Sequence, residues 1–598
     1  MPALLLALVV GSISGLGSAR HVQAASTPAG LPAHFGIGVA APPDNSGLYG
    51  WMPNSGVPWD YAYQYLSAGV NTGNGWETWN TNGQFPLYYA QGANSHGYIP
   101  VFNYYEILQS NGACNSCAED QRDITNLNTP GLMQSYFQNY TLLMQRLGSG
   151  VYGGVTGYGQ TAIVHIEGDL SGYAEQAVLN NGKCFGYCTG QGNNPAYLKV
   201  AVASSGVTDV AGYPDTYQGF NWALLHLRDK YAPNGRMAIH LSNWATGTDI
   251  GSDTSATTNG ATLGQEAGSF LAQAGMVGVP AGTSSYDLFF NDPLDRDAAY
   301  YKYVYNNPNV WWDRLNVTFP NFQRWKAYIA AAHQATGRPA IIWQIPVGNQ
   351  YFDTENNTNG HYQDNRVEYF FGHLGELQQA GVIALLFGAG NGGSTVQWDG
   401  MNDGITNPAS FCTADGLSSG QICNNHTSSS TDDDGGYLRM QAQAYYANGP
   451  LPLDGTPTPT PNATATATVA PTATATPAGA PAFSQATTAS PPTIAPGGAT
   501  TIRTTVTNHG GALINGNMDI EVYNAAGTKV GQQVFSGQNL AANQSATYSY
   551  AWTAPSTVGA NTVTVGVFDT NWSTDYFWDG TAAIVNVSAA AGHPWLGR

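Results

Sequence analysis

The sequence has 598 residues, which is more than one hydrophobic core usually serves, so a large domain with a smaller module is expected. Only 10% of the residues are charged, and the formal net charge is -19. Nucleic acids and anionic membranes are excluded as partners, because binding either one requires a basic face. A neutral sugar polymer makes no such demand.

An apolar run from Leu4 to Gly17 opens the chain and is followed by Val22, Gln23 and Ala24. The run has no basic residue before it, but its length and the small residue after it are typical of a signal peptide. It is too short to span a bilayer. We therefore predict a signal peptide over residues 1–25 and a secreted, extracellular protein that is soluble once processed.

The six cysteines form three pairs that are close in sequence, namely Cys114 with Cys117, Cys184 with Cys188, and Cys412 with Cys423. An even number of cysteines at short spacing in a secreted chain favours local disulfides that hold loops. The first pair also has the spacing of a redox motif or of half a zinc site. The second pair of ligands that zinc requires is absent at the usual spacing.

Eight short apolar runs alternate with amphipathic segments within residues 30–452. The runs lie at 35–39, 69–72, 98–102, 162–166, 237–241, 287–290, 340–343 and 382–387. Continuous apolar character is typical of strands that are buried on both faces of a parallel sheet. Helices are expected at 131–147, 218–231, 322–336 and 367–380. This order predicts an α/β fold, a (β/α)8 TIM barrel. A doubly wound open sheet is the alternative, but no Gly-rich phosphate loop follows the first strand.

Residues 455–481 are mostly Thr, Pro and Ala, which bury little apolar surface and form an extended linker.

Residues 482–590 then alternate apolar and polar side chains, with strands expected at 500–508, 518–524, 546–552 and 561–569. The pattern predicts a small all-β, immunoglobulin-like sandwich. Its closing run, 566–587, resembles the last strands of accessory modules of bacterial endoglucanases. Four aromatic residues of this run are either sugar-stacking or core residues: Trp572, Tyr576, Phe577 and Trp578.

Acidic residues follow several of the expected strands, and in a TIM barrel catalytic groups come from the C-terminal ends of strands. Glu167 and Asp169 follow the fourth strand, and Asp292 follows the sixth. A carboxyl group at the end of an apolar strand loses solvation, which raises its pKa towards that of a general acid. We predict Glu167 as the acid, with Asp169 or Asp292 as the second carboxylate of a glycosidic cleavage. The alternative is that Glu167 or Asp169 is a structural acid.

Further residues near strand ends are expected to bind substrate, because sugar rings stack on aromatic side chains and sugar hydroxyls bond to polar ones. The predicted substrate-binding residues are Trp76, Glu106, Asn243, Trp244, Trp343, Gln344, Asn349, His361, Arg366 and Trp398. For each tryptophan a place in the core is the alternative. No HExxH motif or calcium-loop spacing is present, so neither a metal nor a cofactor is expected.

The order of elements and the acid after the fourth strand resemble the superfamily of barrel glycoside hydrolases. Many members carry Asn-Glu after the fourth strand and a second Glu after the seventh, whereas here the strands end in Ile166-Glu167 and Trp343-Gln344. The resemblance implies a hydrolase acting on a β-linked polysaccharide such as a β-glucan or cellulose, and the protein is expected to be a monomer. The missing second Glu keeps open a non-catalytic carbohydrate-binding protein, and a polysaccharide lyase or esterase is a third hypothesis.

Overall fold

The computed structural model describes residues 27–293, 297–352, 354–390, 394–398, 434–453, 481–540, 544–569, 572 and 574–588. The predicted signal peptide, the Cys412 and Cys423 pair and nearly all of the predicted linker lie outside these residues. The chain divides into two compact units, Met1–Pro461 and Asn462–Arg598. We call them the barrel unit and the C-terminal unit.

Eight parallel strands close into a barrel in the first unit, and each strand pairs with the next one along the chain. They are β1 Gly36–Ala40, β2 Tyr61–Leu66, β3 Ile99–Tyr104, β4 Ile163–Ile166, β5 Arg236–His240, β6 Leu288–Asn291, β7 Ala340–Pro346 and β8 Val382–Gly388. Strands β4, β6 and β8 are buried at every residue. The predicted parallel eight-stranded barrel is thus confirmed, because only strands covered on both faces carry such continuous apolar runs.

One predicted strand was wrong. The second strand is Tyr61–Leu66, and residues 69–72 lie in the loop that follows it. Ala68 and Gly69 both have a φ of +82°, which turns the chain and is incompatible with a strand. The real strand carries three tyrosines, and two of them, Tyr61 and Tyr63, are buried.

Helices fill the connections between the strands and cover the barrel. They are α1 Trp51–Asn54, α2 Phe85–Ser95, α3 Glu119–Leu127, α4 Pro130–Leu147, α5 Leu170–Leu179, α6 Tyr217–Tyr231, α7 Gly260–Leu271, α8 Ala298–Val304, α9 Phe322–Thr336, α10 Arg366–Gly372, α11 Leu374–Gln379 and α12 Asp434–Ala447. Side-chain caps fix the start of several of these helices. Thr216 accepts from the amide of Gly219, and Asn321 accepts from that of Arg324. The helix expected at 367–380 is divided at His373, directly after Gly372, a poor helix former.

Two of the three predicted disulfides are present, Cys114–Cys117 and Cys184–Cys188. The first holds the loop between β3 and α3, and the second lies in the loop after α5. Among the described residues, no helix is long and apolar enough to cross a membrane.

The described residues of the C-terminal unit form two β-sheets. Strands β9 Phe483–Ser490, β11 Ala499–Asn508 and β14 Ser545–Thr553 form one sheet, and β10 Thr493–Ile494, β12 Leu513–Tyr523, β13 Lys529–Leu540, β15 Gly559–Phe568 and β16 Asp575–Val587 form the other. The core contains buried Ile502, Ile520, Trp552 and Val565. Of the four aromatic residues singled out above, Tyr576 and Phe577 pack against this core. Trp572 and Trp578 are 46% and 44% exposed.

Candidate active site

A cavity of about 670 Å3 opens at the C-terminal ends of the barrel strands, where the barrel architecture predicts a site. Strand residues form part of its wall, and the loops and helices that follow the strands form the rest. The lining residues are Tyr65, Asn103, Tyr105, Glu119, Gly168, Asp169, His240, Asn243, Trp244, Asp249, Asp292, Tyr301, Trp343, Gln344 and Ala389.

The charged side chains that line the cavity are all acidic among the residues that the structure describes: Glu119, Asp169, Asp249 and Asp292. Asp169 and Asp292 were both predicted from their positions after β4 and β6. Asp249 closes a turn, since its carboxylate accepts from the amide of Gly251 at 2.9 Å and from the hydroxyl of Ser252 at 2.6 Å. Two of the predicted catalytic acids therefore border one cavity that carries no lysine or arginine on its described wall.

Glu119 is a cavity acid that the sequence reasoning missed. It is the first residue of α3, and the Cys114–Cys117 disulfide lies directly before that helix. Burial raises the pKa of its carboxyl, although the Tyr105 hydroxyl, which donates to Oε1 at 3.0 Å, acts in the opposite direction. An acidic helix start in the loop after the third strand was the signal that could have identified it.

Glu167, the predicted general acid, does not line the cavity. Its backbone has a φ of +41°, and its side chain is only 2% exposed. The carboxylate oxygens accept from the amide of Glu106 at 3.1 Å and from that of Ile107 at 3.3 Å. Burial raises the pKa of Glu167 to about 8, and these hydrogen bonds offset only part of the rise. The side chain therefore binds the chain directly after β3 and takes no part in the cavity lining.

Glu106 lies beside Glu167 and is completely buried as well. Burial and the neighbouring Glu167 raise the pKa of Glu106 to about 9. A third buried acid of this cluster, Asp123, also has its pKa raised, by burial and then by Glu167. Glu106, predicted to bind substrate, thus belongs to a buried acid cluster that does not line the cavity.

Four other predicted binding residues do line the cavity: Asn243, Trp244, Trp343 and Gln344. The Asn243 amide donates to the backbone oxygen of Asp292 at 2.6 Å and so fixes the chain at that acid. The Trp343 ring lies 5.6 Å from that of Tyr65, to which the Gln344 amide donates a hydrogen bond. These contacts hold Asn243, Trp343 and Gln344 in place on the cavity wall.

The remaining five predicted binding residues lie elsewhere. Trp76 is completely buried, and its indole donates to Asn139 at 2.8 Å, so it is a core residue. Arg366 is also completely buried. It pairs with Asp364 at 2.5 Å and stacks on Trp312 at 4.6 Å. The guanidinium therefore binds Asp364 and Trp312 and does not line the cavity.

Asn349, His361 and Trp398 are the other three. The Asn349 side chain accepts from the amides of Tyr351 and Phe352 and shapes its own loop. His361 is 3% exposed and forms isolated bridges within the loop region that follows β7 and β8. Trp398 packs on Trp51, with 5.7 Å between the ring centres. None of the three is among the residues that line the cavity.

The floor of the cavity contains polar side chains that the sequence reasoning did not single out. Asn103 on β3 is 2% exposed, and neither its Nδ2 nor its Oδ1 has a hydrogen-bond partner among the described residues. His240 on β5 is 1% exposed, and its Nδ1 lies 3.2 Å from Nε2 of His165. Its Nε2 is without a partner among the described residues, as is Nε1 of Trp343.

Comparison with known proteins gives little further guidance. No protein-family profile matches the chain, and no curated protein matches it. Among solved structures, the C-terminal domain of wzt is 9% identical, and the match covers 19% of this chain and 77% of that one with a TM-score of 0.17. A CARDB domain from Pyrococcus furiosus, solved with two metal ions, is 17% identical over 18% of this chain and 89% of that one, with a TM-score of 0.15. At these TM-scores neither match identifies an activity.

Proposed function

We propose that the barrel unit is a secreted glycoside hydrolase that cleaves a β-linked, uncharged polysaccharide such as a β-glucan. One observation carries the proposal: Asp169, Asp292 and Glu119 border the same strand-end cavity as the rings of Trp244 and Trp343. Glycosidic cleavage needs two carboxyl groups on opposite sides of the bond. The faces of sugar rings pack against aromatic side chains, which supply the contact area.

The proposed acid is Glu119 instead of Glu167. It lines the cavity, and burial raises its pKa, which favours the protonated form that a general acid needs. Its proton passes to the glycosidic oxygen as the bond from that oxygen to the anomeric carbon breaks. The carboxylate of Asp169 or Asp292 either attacks the anomeric carbon or takes a proton from the attacking water.

The chain departs from the acid pattern of the barrel glycoside hydrolases that it resembles. Where many members have a Glu after the seventh strand, this chain has Gln344, whose amide donates to Tyr65. The second carboxylate must therefore come from another loop, and Asp292 after β6 borders the same cavity.

We also propose that the C-terminal unit is an immunoglobulin-like accessory module. Its support is the pair of sheets around one apolar core, together with the exposed rings of Trp572 and Trp578. The disulfides Cys114–Cys117 and Cys184–Cys188 support secretion, since such bonds persist in oxidising compartments.

The assignment of Glu119 is tested by Glu119→Gln. We expect turnover of natural oligosaccharides to fall by about 100-fold or more, because proton donation to the leaving oxygen is lost. The loss should be much smaller on an aryl glycoside whose leaving group needs no proton. Steady-state kinetics on both substrates measure the difference.

Glu376→Gln is the matched control, because this acid pairs with Lys326 and does not line the cavity. Its kinetics should equal those of the wild type on both substrates. A Glu119→Gln variant with an equal loss on both substrates would assign Glu119 to a step other than proton donation.

A further inference from the structure

The floor of the cavity is formed by side chains from every second strand of the barrel. Asn103, His240 and Trp343 lie on β3, β5 and β7. Side chains from alternate strands of an eight-stranded barrel point inward in a common layer. The three residues therefore come from one layer at the end of the barrel interior, and all three border the cavity.

Polar atoms in this layer have no partner within the described part of the chain: both side-chain polar atoms of Asn103, Nε2 of His240 and Nε1 of Trp343. Buried polar groups in folded proteins are nearly always hydrogen-bonded, because an unpaired one costs about 1–3 kcal/mol. Because these groups lie on the wall of an open cavity, their partners come from what fills it, either water or a bound ligand. Their mixture of donors and acceptors suits hydroxyl groups, which both donate and accept.

The contact between His165 and His240 allows Nε2 of His240 on the floor to act as a hydrogen-bond donor or as an acceptor. Burial lowers the pKa of both imidazoles, that of His240 to about 3, so both rings are neutral near neutral pH. Each neutral ring carries one N–H, and one N–H occupies the 3.2 Å contact between them. Depending on which ring donates, Nε2 of His240 either donates to a hydroxyl or accepts from one.

The charges around the floor restrict the ligand further. The floor groups are uncharged, and the described charged residues on the wall are the four carboxylic acids Glu119, Asp169, Asp249 and Asp292. A sugar acid would meet like charges with no lysine or arginine on the described wall to balance them, and such juxtaposition is unfavourable. The acidic wall of the cavity therefore favours a sugar ring that carries no acidic group.

We infer that Asn103, His240 and Trp343 form a hydroxyl-binding floor that holds one uncharged sugar ring of the substrate. This inference rests on the proposed glycoside hydrolase function and names the residues that select the ring. All three residues lie on barrel strands, and sites built on strands are held more precisely than sites built on loops.

Asn103→Leu tests the floor, with Asn139→Leu as the matched control. Asn139 is also buried, but its Oδ1 accepts from Trp76 and Tyr104 at 2.8 Å each, and it does not line the cavity. KM and kcat of the full chain are measured with cellohexaose or laminarihexaose, whichever the wild type hydrolyses faster. Thermal unfolding midpoints are measured on the same preparations.

For Asn103→Leu we expect KM to rise about tenfold or more, with a midpoint equal to or above that of the wild type, because two unpaired buried atoms are removed. Asn139→Leu should keep its KM within about twofold, while its midpoint falls by about 2–4 °C or more. A hexamer of galacturonic acid should not inhibit the wild type.

An unchanged KM in Asn103→Leu, while the wild type hydrolyses the hexasaccharide, would overturn the floor and leave the hydrolase proposal intact. If the unfolding midpoint of Asn103→Leu falls as far as that of Asn139→Leu, Asn103 is a structural residue, which would also overturn the hydroxyl-binding floor. Strong inhibition by the galacturonic acid hexamer would contradict the selection for an uncharged ring. Absence of hydrolysis of any glycan by the wild type would instead refute the proposed function, and the floor with it.

Discussion

Replacing Asp169 or Asp292 by Asn is expected to lower kcat/KM on oligosaccharides by about 100-fold or more, the size of a lost acid–base contribution. Both carboxylates border the cavity, and the amide of Asn can neither attack the anomeric carbon nor accept a proton from water. If either residue is the nucleophile or base, the loss should be the same for good and poor leaving groups. That pattern differs from the one expected for Glu119→Gln.

Asp215→Asn is a suitable control for these two variants, because its carboxylate accepts from the amides of Val202 and Ser204 outside the cavity. It should leave kcat/KM within about twofold, since the reacting groups are untouched. Circular dichroism and unfolding midpoints check that all three variants fold. Near-normal turnover in both Asp169→Asn and Asp292→Asn would remove these acids from the mechanism.

The second large expected effect is a fall in the stability of the barrel unit as the pH rises. Burial raises the pKa of Glu106 to about 9 and that of Glu167 to about 8. In the folded chain the pKa of each carboxyl is higher than in the unfolded chain. At a pH between the unfolded and the folded pKa, the native state therefore binds more protons than the unfolded state. Stability should therefore be greatest below about pH 5 for these groups and should fall as the pH rises to about 8, by up to about 1.4 kcal/mol per pH unit for each group.

Glu106→Gln isolates this contribution. The amide stays neutral at every pH, so the variant should gain stability over the wild type at about pH 8 and differ little at about pH 5. Urea unfolding of the full chain, followed through the barrel transition at several pH values, gives the slopes. A wild-type stability that is flat or rising from about pH 5 to about pH 8, or an unchanged slope in Glu106→Gln, would contradict the assignment.

Glu376→Gln is the control for the slope. Burial alone would raise the pKa of the Glu376 carboxyl, but the hydrogen bond and the charge of Lys326 outweigh it and lower that pKa. Glu376 therefore stays ionised across this pH range. Its replacement should shift stability by a constant amount and leave the pH slope unchanged.

The fold could be predicted further than the site. Long apolar runs such as that of β8 identify strands that are covered on both faces, and the order of elements then gives the barrel. The second strand was missed because its tyrosines do not form such a run, although two of them are buried. Whether a tyrosine lies in a barrel wall or in a loop is decided by tertiary packing.

The strand-end rule identified the cavity residues Asp169, Asp292, Asn243 and Trp343, because chain direction alone brings those positions to one end of a parallel barrel. It could not reveal that the Glu167 carboxylate binds the amides of Glu106 and Ile107 instead of lining the cavity, since that depends on the path of the chain after β3. Nor could it separate Trp76, a core residue, from Trp244, a cavity residue.

Asn103, His240 and Glu119 were missed for two different reasons. The first two lie inside strands, where a polar residue in one sequence gives no sign of whether it faces the barrel interior, a helix or a cavity. Glu119 lies far along the loop after β3, and the path of that loop cannot be read from residue types. Side-chain direction at a strand end and the course of long loops are tertiary properties.

The most direct test of the proposed hydrolase is the release of reducing ends from uncharged β-linked glycans by the purified full chain. The double variant Asp169→Asn and Asp292→Asn serves as the blank, and mixed-linkage β-glucan, laminarin and cellulose oligomers form the substrate panel. We expect the wild type to release reducing ends from at least one of these and the double variant to release none above background. Saturable glycan binding without release by the wild type would contradict the hydrolase and identify a binding protein, and unsaturated products would identify a lyase.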